Sequence, residues 1–413
     1  MIDTKQGKCL GCAGPIGNPF LDLGSMPLAK AFVPGGGTDL REEQFSLALA
    51  YCERCHLVQL TDLVTPEKLF SNYPYFSSYS DTFLKHSREM AEAYIERFAH
   101  DSASRVLEIG SNDGYLLQYF VARGVQVLGV EPARNIAAEA VRRGIPTLNR
   151  FFGIESVPEI VKGFGPVDLI IGNNVLAHVP EINGFLRAVA RTIKPNGVAA
   201  FEFPHLLELI NAVEFDTIYH EHVFYLSLTA IRNLAHSADL EVFDVARQSV
   251  HGGSLRVFLD RPGVRPVEES VGILLDAERQ AGLTSAARYD TFAAQVKHVR
   301  SRLRELLQKL KAGGSRIAAY GAPAKGNTLL NYCGIGADIL EFTVDRSPHK
   351  QGKKLPGSHL SVLPPEALLE RKPDYALILP WNIAEEIIAQ QQEHLQGGGR
   401  FIVPIPSPRV ISA

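Results

Sequence analysis

Arg105-Val-Leu-Glu-Ile-Gly-Ser-Asn-Asp-Gly114 is the stretch that decides the fold. A short apolar run ends in glycine, and a polar turn then closes on a second glycine. That is the pattern of a buried strand passing into a helix. Working outward, Tyr115 to Arg123 is predicted as helix and Gln126 to Glu131 as the next strand. Val167 to Gly172 and Val198 to Phe203 read as further strands, and Phe83 to Phe98 as a leading helix. Strand and helix alternating at this spacing imply a parallel, doubly wound sheet. Ser227 is expected to cap a helix reaching Ser237, before two closing strands at Leu240 to Val245 and Gly253 to Leu259. Beyond Asp260-Arg-Pro-Gly263 an amphipathic helix from about Phe292 to Lys311 is stopped by Gly313-Gly314. Strands at Ser315 to Gly321, Leu340 to Asp345, Tyr375 to Leu379 and Phe401 to Ile405 make a second α/β sheet.

At 413 residues the chain is too long for one ordinary core, so two or three domains are expected. Hydrophobic residues at 46% and charged residues at 21% match a soluble globular protein. A net charge of -3 gives no field to draw in nucleic acid or a membrane surface. No apolar run approaches the ~20 residues that span a bilayer, and Met1 to Lys8 lacks the apolar stretch of a secretory signal. A cytoplasmic location is the default expectation, and a monomer the default assembly.

Four of the five cysteines form two pairs, Cys9-Leu-Gly-Cys12 and Cys52-Glu-Arg-Cys55. In a reducing compartment such pairs suit tetrahedral Zn²⁺ better than disulfides, and a closed four-thiolate set leaves no open position, so the metal is structural. Redox cysteines or plain buried ones are the alternative. Residues 1 to about 70, rich in Gly and Pro, then form a module whose metal compensates for a thin core. His56 lies beside the ligands rather than among them, and Cys333 has no partner in sequence.

Glu108-Ile-Gly-Ser-Asn-Asp-Gly114 resembles the acidic-x-Gly-x-Gly-x-Gly loop of class I S-adenosylmethionine methyltransferases, with Asn112 in place of the central glycine. Gly110 and Gly114 permit the turn. Glu108 and Asp113 would repel a pyrophosphate, which dinucleotide folds hold at a helix N-terminus, whereas they suit the sulfonium and ammonium of adenosylmethionine. Glu131, ending the second strand, is placed to accept from ribose hydroxyls. In Gly172-Asn-Asn-Val-Leu-Ala-His-Val-Pro-Glu181, Asn173 is a candidate for the cofactor's amino-acid group. His178 is either part of the site or an ordinary helix residue.

Tyr219-His-Glu-His222 packs phenol, imidazole and carboxylate into one turn, groups able to move a proton. Methylation at carbon requires loss of a proton α to a carbonyl, and a histidine is a suitable base near neutral pH. His222 is the candidate base, Glu221 would orient or balance an imidazole, and Tyr219 or His178 would donate to the enolate oxygen. A hydrogen-bonded loop bracing the sheet is the plain alternative, and His220 fits that role.

The cysteine pairs, the glycine loop, Tyr219 to Ser227 and Tyr320-Gly-Ala-Pro-Ala-Lys-Gly-Asn327 together resemble the sugar C-methyltransferases of deoxysugar biosynthesis along essentially the whole chain. The resemblance implies three units: a zinc module (residues 1–72), an adenosylmethionine-binding Rossmann-like domain (73–262) and a Rossmann-like nucleotide-sugar domain (263–413). It implies a TDP-linked 4-keto-deoxysugar as substrate, methylated at C-3. It also implies that the aromatic connector covers the cofactor, with Phe76 and Ser77 against it and Tyr75 or Tyr79 facing the sugar; an apolar hinge plug is the other reading. Lys325 and Asn327, with the free N–H groups of their turn, make a diphosphate cradle, unless Lys325 is merely solvated. Asp345, Arg346 and His349 are candidates for the base or phosphates, Ser254 and Arg256 for the sugar or phosphates, and Trp381-Asn382 for the same sheet edge. An O- or N-methyltransferase, or a non-catalytic protein that binds zinc and adenosylmethionine, would share most of these features.

Overall fold

The structure, a computed structural model, describes residues 7–36, 42–70, 78 and 81–412. Its middle sheet has seven strands in the order β11-β12-β9-β8-β5-β6-β7. These are β5 (Arg105–Ile109), β6 (Gln126–Val130), β7 (Thr147–Leu148), β8 (Val167–Asn173), β9 (Ile193–Pro204), β11 (Glu241–Gln248) and β12 (Ser254–Asp260). Strands β5 to β9 run parallel, and β12 lies antiparallel between β9 and β11. The parallel strands are apolar nearly throughout because helices cover both faces, as such sheets require. Helix α1 (Asp81–Phe98) covers one face, burying Met90, Ala91 and Tyr94 against Val106, Leu117 and Phe258.

The second sheet is built on β13 (Ile317–Tyr320), β14 (Thr343–Val344), β16 (Val362–Leu363), β17 (Tyr375–Ile378), β18 (Arg400–Val403) and β19 (Arg409–Ile411), in the order β16-β14-β13-β17-β18-β19. The strand expected from Leu340 to Asp345 shrinks to two residues. The long helix begins at Ala286 rather than Phe292, and the helix expected over 115–123 spans only Leu117–Val121.

The N-terminal module and the flanking domains share strands. Its sheet, β1 (Leu21–Met26), β3 (Phe45–Tyr51) and β4 (Val58–Leu60), takes its fourth strand, β10, from Phe224–Tyr225. A two-residue ladder joins β2 (Val33–Pro34) to β15 (Lys353–Lys354) of the terminal domain.

Helix α2 (Leu228–His236) is capped as expected, the Ser227 hydroxyl accepting from Ala230 N. A helix with no sequence-based forecast, α3 (Glu269–Gln280), adds a second cap. The buried Glu278 carboxylate accepts from Leu228 N, Thr229 N, Thr229 Oγ1 and His205 Nε2 at 2.6–2.8 Å. Burial opposes ionisation, yet His205 and Thr229 hold this carboxyl below its ordinary range. A charged group without these donors would be expelled from such a position.

Candidate active site

Four sulfurs converge in the N-terminal module. The Sγ atoms of Cys9, Cys12, Cys52 and Cys55 all lie within 4.8 Å of one another, with Cys9–Cys55 at 3.5 Å and Cys12–Cys52 at 3.6 Å. A tetrahedron with Zn–S near 2.3 Å has edges of ~3.8 Å, so the sulfurs fit zinc. The Cys55 neighbour holds the Cys9 thiol down to about 5, while Cys9 and burial push Cys55 up. A dication resolves that conflict by binding all four as thiolates. His56 makes its bond to Tyr51, Nδ1 to phenol oxygen at 2.6 Å.

At the open end of the middle sheet the Ser111–Gly114 turn folds over the ends of β5 and β6. Asn112 adopts φ +48, a left-handed conformation that Asn tolerates better than most side chains, so it can replace glycine. Gly114 cannot be replaced in this way: at φ +82, a Cβ would sit 2.6 Å from Ile145 Cγ1. Glu131 Oε2 accepts from Asn112 N at 3.0 Å and Oε1 from Ala133 N at 2.8 Å. Asp113 Oδ2 accepts from Ser78 Oγ and pairs with Arg143 at 3.0 Å, while its buried Oδ1 has no hydrogen bond. Burial pushes the Glu108 carboxyl well up, and Glu131 up as well. A pocket with three acids and vacant buried acceptors fits a cationic ligand. Asn173 ends β8, its Nδ2 3.4 Å from the Tyr115 hydroxyl and its Oδ1 buried and unbonded.

The Tyr219–His222 turn lies between this pocket and the terminal domain. His222 Nδ1–H donates to Thr217 O at 3.0 Å, so Nε2 carries the lone pair, and Tyr219 OH donates to it at 2.8 Å. His178 Nδ1–H donates to Glu221 O at 2.6 Å and its ring stands edge-on to His222 at 4.9 Å. Burial lowers the His178 pKa, which keeps the two imidazoles from carrying like charges. The Glu221 carboxylate pairs with Lys30 at 2.7 Å. His220 is buried against Phe45, its Nε2 3.2 Å from Phe45 O, as a bracing residue should be.

The terminal domain meets this turn along a polar seam. Thr328 Oγ1, on helix α4 (Ala324–Cys333), donates to Ile218 O at 3.0 Å, and Trp381 Nε1 donates to Asp216 Oδ2 at 2.7 Å. Lys325 bonds Asn382 and sits 4.5 Å over the Trp381 ring. Burial lowers Lys325 and raises its acidic neighbours, Asp216 to about 6 and Glu214 to about 8. Gly321, at φ +89, leaves room for Pro380 where a Cβ would lie 2.5 Å away. Asp345 accepts from Ala322 N at 2.7 Å and Ser347 N at 2.9 Å, and pairs with Lys350 at 3.1 Å.

Lys325, Tyr320 and Asp345 thus gather at one sheet edge, with Arg346 and His349 exposed beside it. Asn327 is buried and its Nδ2 donates to Ala29 O at 2.6 Å, tying the domain to the N-terminal segment. Ser254 Oγ turns back to Val250 O at 3.2 Å. Arg256 pairs with Glu202 at 2.6 Å, on the same face of the middle sheet as Asn173 and Glu108. Tyr75, Phe76, Ser77 and Tyr79 lie outside the described residues. Sequence reading missed Lys30, Glu214, Asp216 and Glu202, each defined by a partner distant along the chain.

Family models match the chain in three blocks: a zinc binding domain over residues 9–70, a methyltransferase domain over 83–245 and a C-methyltransferase C-terminal domain over 249–406. The C-methyltransferase NovU of Streptomyces niveus is 39% identical over 407 residues, covering 98% of this chain and 97% of that one. The chain belongs to this C-methyltransferase family. This C-methyltransferase uses S-adenosylmethionine, which supplies an electrophilic methyl group, and carries zinc in its cysteine cluster. A ubiquinone biosynthesis O-methyltransferase of Rhodopseudomonas palustris is 34% identical over 98 residues, 24% of this chain and 38% of its own. Among solved structures, magnesium protoporphyrin IX methyltransferase of Synechocystis is 13% identical with a TM-score of 0.34, covering 43% of this chain and 83% of that one, too distant to build on. Among the described residues, no helix is long and apolar enough to cross a membrane.

Proposed function

We propose that this C-methyltransferase acts on a nucleotide-diphosphate-linked 4-keto-deoxysugar, removing the proton from C-3 and directing the methyl group to that carbon. The observation that carries the reading is the Tyr219–His222 pair, an imidazole with its lone pair fixed by the Thr217 carbonyl and its partner phenol in hydrogen-bond contact. As the sugar enters, the phenol turns from Nε2 to the ketone oxygen and exposes the base to the α-proton. Tyr219 then supplies the hydrogen-bond donor for the enolate oxygen, the charge that develops in the transition state, while His178, its Nδ1–H held by Glu221 O, packs edge-on against the base. Lys325 and the open N–H groups of its turn hold the diphosphate, and the seam to Asp216 sets the sugar against the base.

The test is to incubate the enzyme and S-adenosylmethionine with TDP-, GDP- and CDP-linked 4-keto-6-deoxysugars and locate the methyl group by mass spectrometry and NMR. A new carbon–carbon bond at C-3 is expected. A ketone at C-4 acidifies C-5 as well, so a methyl at C-5 corrects the position and keeps the chemistry. A methyl on oxygen or nitrogen overturns the base assignment.

A further inference from the structure

One cluster at the open end of the middle sheet has no part in the proton chemistry. Helix α1 carries His86 and Met90 one turn apart on the face packed against the sheet. Met90 Sδ lies 3.5 Å from Asn173 Nδ2, and His86 Nε2 lies 3.1 Å from Glu202 Oε1. Asn173 and Glu202 are register partners on β8 and β9, so their side chains leave the sheet on the same side. Behind Glu202, Arg256 donates to Oε2 through Nε at 3.0 Å and Nη2 at 2.6 Å, and its guanidinium lies 5.4 Å from the Tyr94 ring centre. A guanidinium and an imidazole thus share one carboxylate. The Asn173 amide oxygen beside them is buried and accepts no hydrogen bond, and the wholly buried Glu108 carboxyl lies next to Tyr115 on the same side.

His86, one turn before Met90 on α1, and Asn173, whose amide lies 3.5 Å from Met90 Sδ, offer a donor and an acceptor at the same end of the sheet. We infer that His86, braced by Glu202 and Arg256, binds the carboxylate at the amino-acid end of the cofactor, while Asn173 Oδ1 accepts from its ammonium. The inference rests on S-adenosylmethionine lying over the Gly110–Gly114 loop, which places its amino-acid end at the tip of β8. Glu202 accepts from Nε2–H, and the ring holds the ligand carboxylate through Nδ1–H, taking up a proton from solvent as that second carboxylate arrives. Arg256 keeps Glu202 ionised: its charge, with the His86 hydrogen bond, holds that carboxyl below its ordinary range against the cost of burial.

The test uses two probes and no turnover. S-adenosylhomocysteine carries the amino-acid group, and 5′-methylthioadenosine is the same adenosine thioether without it. By calorimetry, wild-type protein should bind the first more tightly. In His86→Ala, affinity for S-adenosylhomocysteine should fall about 10- to 100-fold, the range for losing a hydrogen bond to a charged group, with 5′-methylthioadenosine binding unchanged. His86→Gln, which keeps a donor, should recover part of the loss. Equal weakening of both probes means that His86 only braces α1, and no weakening means that it is not at the ligand; either overturns the proposal. If His86→Ala melts early, the ratio of the two affinities in His86→Gln decides the matter. Wild-type protein that binds neither probe overturns the placement of the cofactor itself.

Discussion

The two glycine turns are built alike and charged differently, the first mostly by acids and the second by facing acids and bases. In each, an acid at the end of the second strand accepts an N–H from the first turn and another from two residues ahead: Glu131 from Asn112 and Ala133, Asp345 from Ala322 and Ser347. The backbone device is therefore shared, and the side chains around it choose the ligand. The first turn is ringed by Glu108, Asp113 and Glu131 with Arg143 as counter-charge; the second has Lys325, Lys350 and Arg346, with Asp345, Asp216 and Glu214 against them. A glycine turn at a strand end says that something binds; the sign of the surrounding charge says what.

The largest effect is expected between the turns rather than at either. His222→Ala should lower kcat by ~10²- to 10⁴-fold, the span of general-base contributions, with both ligands still bound at wild-type affinity. Retained solvent exchange of the α-proton in that variant would move the base elsewhere. Next, Glu131→Ala should weaken S-adenosylhomocysteine by about 10- to 100-fold without changing the nucleotide sugar's KM. Lys325→Ala should do the converse, raising that KM by about 10-fold. If either substitution weakened both ligands equally, the division of labour would fail.

The smallest effect lies at the seam. Burial, with the charge of Asp216 added, pushes Glu214 up to about 8, against 4.5 for an ordinary glutamate. Between those pH values the folded chain keeps a proton that the unfolded chain releases, so stability falls as pH rises through the window. Glu214→Gln should fall less, melting about 2–4 °C above wild type at pH 8.5 relative to the difference at pH 5. Parallel melting curves would show that Glu214 is ionised throughout.

Much of this was legible in the chain. The central strands announced themselves because parallel strands covered on both sides are continuously apolar. Ser227 declared its helix by side-chain chemistry, and the cysteine pairs declared their ion. Helix α3 was missed because its buried face is only Val271, Leu274 and Glu278, interrupted by Gly272 and an exposed Ile273. The long helix lost its first six residues in reading because Tyr289 is their one large buried side chain and makes no apolar stripe. Of the site, the residue types within one turn were readable. The contacts that aim them, Lys30 to Glu221 and Trp381 to Asp216, join residues 191 and 165 positions apart, and no local pattern encodes such pairings.

Strand β10 begins two residues after His222 and completes the sheet anchored by the four sulfurs. A zinc ion in those sulfurs would therefore be the footing of the segment that carries the proposed base, His222. On the proposed reading, a cell short of zinc, or one whose oxidants reach those thiolates, would be left with a chain that still binds the methyl donor but no longer holds its base in place.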